Sequence, residues 1–122
     1  MPSALILDEN APIRELLGEW LSGAGYRVFE AQHRRDLPAA RISGIDVLLM
    51  DLPVLREGAK AAIAPLRAAF PQAVLVGLSA RLGASVPQHS ALAHELGLDA
   101  LLAKPCTREE LLGLLAQLGV AP

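Results

Sequence analysis

The sequence predicts an α/β fold, a doubly wound (βα)5 sandwich built on a five-stranded parallel sheet. Short apolar runs recur along the chain, and amphipathic stretches with helical spacing stand between them. Several of the runs are apolar on consecutive residues, which suits strands covered on both faces by helices. The strictly alternating order leaves little room for another architecture.

Five strands are read at ALIL (4–7), YRVFEA (26–31), IDVLLM (45–50), AVLVGL (73–78) and ALLA (100–103). After the first strand, Ile13, Leu16, Leu17, Trp20 and Leu21 mark one apolar helix face. Asn10 is placed to cap its start, and Gly23 and Gly25 supply stop signals. Trp20 is read as core or core edge. The segment 31–44 predicts a short second helix interrupted near Pro38. In 58–70, Pro65 removes an amide and crowds the preceding turn, so that helix is expected to be kinked or split. The last helix opens on Thr107-Arg108-Glu109-Glu110, a capping-box pattern, and lines up Leu111, Leu114, Leu115 and Leu118. Leu112 sits off that stripe as an ordinary surface leucine.

Bulk properties narrow the function classes. A chain of 122 residues, 52% hydrophobic and 20% charged, fits one globular domain over 1–122. Its 11 basic and 13 acidic residues are dispersed, so no basic patch points to nucleic acid or an anionic membrane. A single cysteine, Cys106, forms no internal disulfide, and no zinc-type cluster is present in the sequence. The N-terminal apolar patch is too short for a signal peptide or membrane span. The expectation is a soluble, cytoplasmic protein.

In a doubly wound sheet, the carboxyl ends of the strands converge on the crevice where the strand order reverses. Those ends carry Asp8-Glu9, Asp51, Ser79-Ala80 and Lys104-Pro105, whereas Glu30-Ala31 after strand two adds no group of note. Three carboxylates at one edge repel one another unless one is protonated or a cation joins them. Mg2+, held by one or two carboxylates and water, answers that requirement. Taken singly, each residue has an ordinary explanation: acids favouring a helix N-terminus, a turn serine, a solvated lysine, a strand-end aspartate. The conjunction at four strand ends favours a site. His33, His89 and His94 are read as solvated residues away from those ends.

LILDENAPIRELL, IDVLLMD, GLSA and ALLAKP, in this order and spacing, resemble the receiver (CheY-like) domain of two-component response regulators, a flavodoxin-like fold. The resemblance covers nearly the whole chain, with no output domain following, as in a stand-alone receiver. It implies that Asp51 is a phosphoacceptor taking its phosphoryl group from a sensor histidine kinase or a phosphotransfer protein. Asp8, Glu9, Asp51 and the backbone carbonyl of Pro53 would hold Mg2+, with Glu9 the more direct ligand of the acidic pair. Ser79 takes the hydroxyl switch position, Ala80 offers an amide to the phosphoryl group, Lys104 takes the lysine position, and Pro105 that of the proline that commonly makes a cis bond. The resemblance further implies signalling through protein contact, with an output protein or a homodimer using the face of the fourth helix, fifth strand and fifth helix. Chemistry would be limited to self-phosphorylation and autodephosphorylation.

The chain also departs from that pattern. The Met-Pro pair usual in the acceptor loop is absent, and Gly58 is seven residues after Asp51, one short of the usual spacing. Pro53 offers a carbonyl but no N–H, and the resemblance assigns that amide to the phosphoryl oxygens. Losing one hydrogen bond to a charged group is worth on the order of 1.5–3 kcal/mol. Leu101 stands where many receivers carry a swinging tyrosine or phenylalanine. Arg81 falls at a position that tunes phosphoryl lifetime in the family, and reads equally well as a solvated loop charge. These departures keep open a pseudo-receiver, a scaffold that binds its partner regardless of phosphorylation. A flavodoxin-like carrier is disfavoured by the acids after strand one and by the lack of phosphate-binding glycine patterns. A dehalogenase-type phosphatase is disfavoured because Pro53 replaces its second aspartate.

Overall fold

Five strands form one all-parallel sheet: β1 (Ser3–Leu7), β2 (Arg27–Ala31), β3 (Val47–Asp51), β4 (Val74–Ser79) and β5 (Ala100–Ala103). The computed structural model describes residues 1–37, 44–53, 57–81 and 90–122. The strand order is β2-β1-β3-β4-β5, so the direction of winding reverses between β1 and β3. Register is continuous across the centre: Leu5 pairs with Leu48, Leu48 with Leu75, and Gly77 with Leu101.

Four α-helices lie among the described residues: α1 (Ala11–Gly23), α2 (Glu57–Ala69), α3 (Ser90–Leu96) and α4 (Arg108–Gln117). The two-residue pleat sends alternate strand side chains to opposite faces, giving two apolar cores. Ala4, Ile6, Val47, Leu49, Val76 and Leu78 meet Leu17 and Leu21 of α1 and Leu111 and Leu115 of α4. On the other face Leu5, Leu48, Met50, Leu75 and Leu101 meet Ile63 and Leu66 of α2 and Ala93 and Leu96 of α3. Consecutive apolar residues in the strands are thereby explained, since both faces are buried.

Local chemistry sets the helix ends. The Asn10 side chain accepts from the Ile13 amide, and α1 closes with Tyr26 N donating to Leu21 O and Gly25 N to Ser22 O. That Schellman closure puts Gly25 at φ +101°, a conformation glycine adopts without a Cβ penalty. At α4, Thr107 Oγ1 accepts from Glu110 N while the Glu110 carboxylate accepts from Thr107 N. Thr107→Ala is expected to lose about 1 kcal/mol of stability through this cap, measured by urea unfolding; an unchanged midpoint would contradict it.

The structure alters several expectations. Helix α2 runs unbroken through Pro65 and is not split. Pro65 and Ala61, whose carbonyl loses its usual i+4 donor to the proline, are both exposed, so the interruption lies on the solvent side of the helix. Between β2 and β3 the described residues contain a 3-10 turn, Arg34–Asp36; the rest of the segment expected to hold a short helix, 38–43 with Pro38, lies outside the described residues. Leu16 is 44% exposed despite its place in the apolar pattern, while Leu112 packs half-buried against the core. Trp20 sits at the core edge, as expected.

Candidate functional site

At the carboxyl edge of the sheet, the reversal between β1 and β3 opens the crevice into which Asp8 and Asp51 project. Asp8 directly follows β1 and is only 3% exposed. Its amide donates to the Ala31 carbonyl at the end of β2 (3.1 Å), and its own carbonyl accepts from Arg14 Nη1 of α1 (2.7 Å). Arg14 Nε lies 3.2 Å from the Glu30 carboxylate, so one guanidinium braces the β1 and β2 ends against α1. The Asp8 carboxylate accepts from the Asn10 amide on one oxygen (2.9 Å).

Asp51 ends β3, with its side chain 31% exposed. The Lys104 ammonium reaches across from the end of β5 and lies 2.8 Å from Asp51 Oδ1 and 3.0 Å from Asp8 Oδ2. The Lys104 amide donates to the Ser79 carbonyl (2.9 Å), fixing the end of β5 against β4. Burial pulls the Lys104 pKa down, but hydrogen bonds to Asp51 and Asp8 and attraction to both carboxylates outweigh it and leave the ammonium above its ordinary value. The peptide bond from Lys104 to Pro105 is cis.

Ser79 is fully buried at the end of β4, and its Oγ accepts from the Arg81 amide (3.1 Å). That leaves the hydroxyl proton free to donate elsewhere. Ala80 and Arg81 are exposed. Pro53 is the last described residue of the loop after β3, which Leu52 anchors by donating its amide to the Leu78 carbonyl (2.8 Å); residues 54–56, where the loop was read as one residue short, lie outside the described residues. Leu101 is buried in β5 above Gly77.

Glu9 stands apart from this cluster. Its side chain is 74% exposed, and Oε1 lies 3.0 Å from Nδ1 of His33, in the loop after β2. His33 was expected away from the strand ends, and sequence reasoning missed this contact because no local pattern links a loop histidine to a residue so far back in the chain. His94 lies exposed in α3, and His89 falls outside the described residues. Among the described residues no three or more His, Cys, Asp or Glu side chains gather closely enough to hold a metal. The two carboxylates that do converge, Asp8 and Asp51, present hard oxygen donors and fit an ion such as Mg2+ that keeps several waters.

Beside Lys104, an apolar groove of about 320 Å3 runs between α1 and the loop from β5 to α4, lined by Ile13, Leu16, Trp20, Pro105 and Cys106 among others. Burial, with the nearby Glu110 carboxylate, pushes the Cys106 thiol above its ordinary pKa, so it is a poor nucleophile at neutral pH. No helix among the described residues is long and apolar enough to cross a membrane.

No family model matches the chain, and no curated protein does. Solved structures do. A response regulator from Thermotoga maritima superimposes with a TM-score of 0.78 at 20% identity, covering 96% of each chain. The chemotaxis protein CheY4 of Vibrio cholerae gives 0.71 at 26% identity, over 96% of this chain and 98% of that one. A Burkholderia pseudomallei response regulator, described with a phosphorylated aspartic acid, calcium ion and citrate, gives 0.71 at 26% identity over 93% of this chain and 65% of its own. The fold is that of the CheY-like response-regulator receiver domain, over nearly the whole chain.

Proposed function

We propose that residues 1–122 act as a receiver unit of two-component phosphorelay signalling, with Asp51 the phosphoacceptor. The observation that carries this reading is the Lys104 ammonium bridging Asp51 and the buried Asp8 at the sheet's reversal point. Phosphoryl transfer depends mainly on positioning and charge neutralisation, and these residues supply both. An Asp51 carboxylate oxygen forms the new bond to phosphorus as the P–N bond to a donor phosphohistidine breaks, and the electron pair stays on the imidazole nitrogen. Lys104 is within reach of the charge gathered on the phosphoryl oxygens. Asp8 and Asp51, with Glu9 and the Pro53 carbonyl, would hold Mg2+, which when bound supplies further neutralisation. The calcium ion and phosphorylated aspartic acid of the Burkholderia pseudomallei neighbour support a divalent site beside an acceptor aspartate.

The phosphorylated aspartate then offers new acceptor oxygens. The Ser79 hydroxyl, whose oxygen already accepts from Arg81, can donate its proton to one of them, and the Ala80 amide to another. Movement of that loop would reach the face made by α3, β5 and α4, including Leu101, where an output protein or a second copy would read it. The donor is a sensor kinase or phosphotransfer protein in the cytoplasm. The apolar groove beside Lys104 offers it a surface next to the acceptor. This is a signalling domain rather than an enzyme with a released product.

Incubation with Mg2+ and a small-molecule phosphodonor is expected to add one phosphoryl group to the wild type and none to Asp51→Asn, read by intact mass. Uptake by Asp51→Asn would move the acceptor elsewhere. A second reading, the phosphorylation-independent scaffold, is favoured by Pro53, which lacks the amide that would hold the phosphoryl group. Equal affinity of wild type and Asp51→Asn for an output partner, with and without phosphodonor, would select it.

A further inference from the structure

We infer that His33 is a positioning residue that holds Glu9 out of the cation site, so that a divalent ion must displace the imidazole before Glu9 can reach it. The inference rests on the receiver reading of Asp8, Glu9 and Asp51. Glu9 is adjacent in sequence to the buried Asp8, yet its carboxylate is turned to solvent and pairs with His33 Nδ1 at 3.0 Å. The imidazole is presented by a braced turn: His33 N donates to Asp36 Oδ2 (3.1 Å), and Asp36 N donates back to the His33 carbonyl (3.0 Å). Asp36 spends that oxygen on the backbone, leaving the ring to Glu9. As a result no cluster of three acidic or imidazole ligands forms among the described residues, although the chain supplies three acids to this edge.

A site whose competent arrangement is populated only part of the time binds its ligand more weakly by that fraction. An exposed pair of this kind is worth about two- to fivefold in such a population. Calorimetric titration of Mg2+ into the full chain is therefore expected to show His33→Ala binding about two- to fivefold more tightly than the wild type. His33→Gln, whose amide can still donate to Glu9, is expected to stay near the wild type. In a Glu9→Gln background, His33→Ala is expected to change nothing, which a general effect on the loop would not reproduce. Equal binding by wild type and His33→Ala overturns the inference alone. Weaker binding by His33→Ala also overturns it, since the imidazole would then be helping Glu9 toward the ion. Absence of Mg2+ binding in the wild type overturns the cation reading and the inference together.

Discussion

Lys104→Met is expected to reduce the unfolding free energy by about 3 kcal/mol at pH 7, because it leaves a buried carboxylate without its cation. Asp8 is 3% exposed, and beyond Lys104 its carboxylate has one recorded partner among the described residues, the Asn10 amide. Methionine keeps much of the aliphatic stem, so the loss is of charge more than of packing. Asp51 is partly open to water, which places the effect at the lower end of the range for broken buried pairs. The wild type loses this contact at alkaline pH. Its Lys104 pKa is raised above the ordinary 10.5 in the folded state, so the contact stabilises fully below that value and is lost as pH rises through the higher folded one. Urea unfolding of both proteins at pH 7, and of the wild type into the alkaline range, checks both effects; a variant as stable as the wild type at pH 7 would mean that Asp8 does not depend on Lys104.

Gly77→Ala is expected to destabilise the protein by about 1–3 kcal/mol. A Cβ at this position of β4 would stand 2.5 Å from Leu52 Cδ1, 2.8 Å from Leu98 Cδ1 and 3.0 Å from Leu101 Cδ2. One flexible leucine could turn aside, but three buried ones converge here, from the loop after β3, the turn before β5 and β5 itself. Because Leu52 follows the proposed acceptor, the variant is also expected to lower phosphoryl uptake relative to Thr107→Ala, which acts at the α4 cap rather than on Leu52. Thermal unfolding and intact mass after phosphodonor treatment measure the two effects. Wild-type stability in Gly77→Ala would mean that these leucines repack freely.

β1, β3, β4 and β5 were legible because each is an apolar run buried on both faces; β2, at the sheet edge, keeps Arg27 and Glu30 exposed and was read from its β-formers Tyr26, Val28 and Phe29. The caps at Asn10 and Thr107 were legible because they are local chemistry, with donor and acceptor three residues apart. Strand-end reading also brought Asp8, Asp51 and Lys104 to one edge, though not the Lys104 bridge between the two aspartates. What failed depended on surroundings that no local pattern encodes. A proline breaks helices in general, but α2 continues through Pro65, where Pro65 and Ala61 are both exposed. Leu16 follows the apolar spacing yet lies beside the groove rather than inside the core. The contact between Glu9 and His33 joins loops after β1 and β2, and only the pairing of those strands brings them together.

The proposed function depends on Asp51 itself taking the phosphoryl group. Borohydride reduction after phosphodonor and Mg2+ treatment, followed by peptide mass analysis, reads it directly, since an acyl phosphate on aspartate is reduced to homoserine. Homoserine is expected at position 51 and at no other aspartate. Homoserine at Asp8, or a phosphoryl group that resists reduction and maps to a serine or histidine, would contradict it.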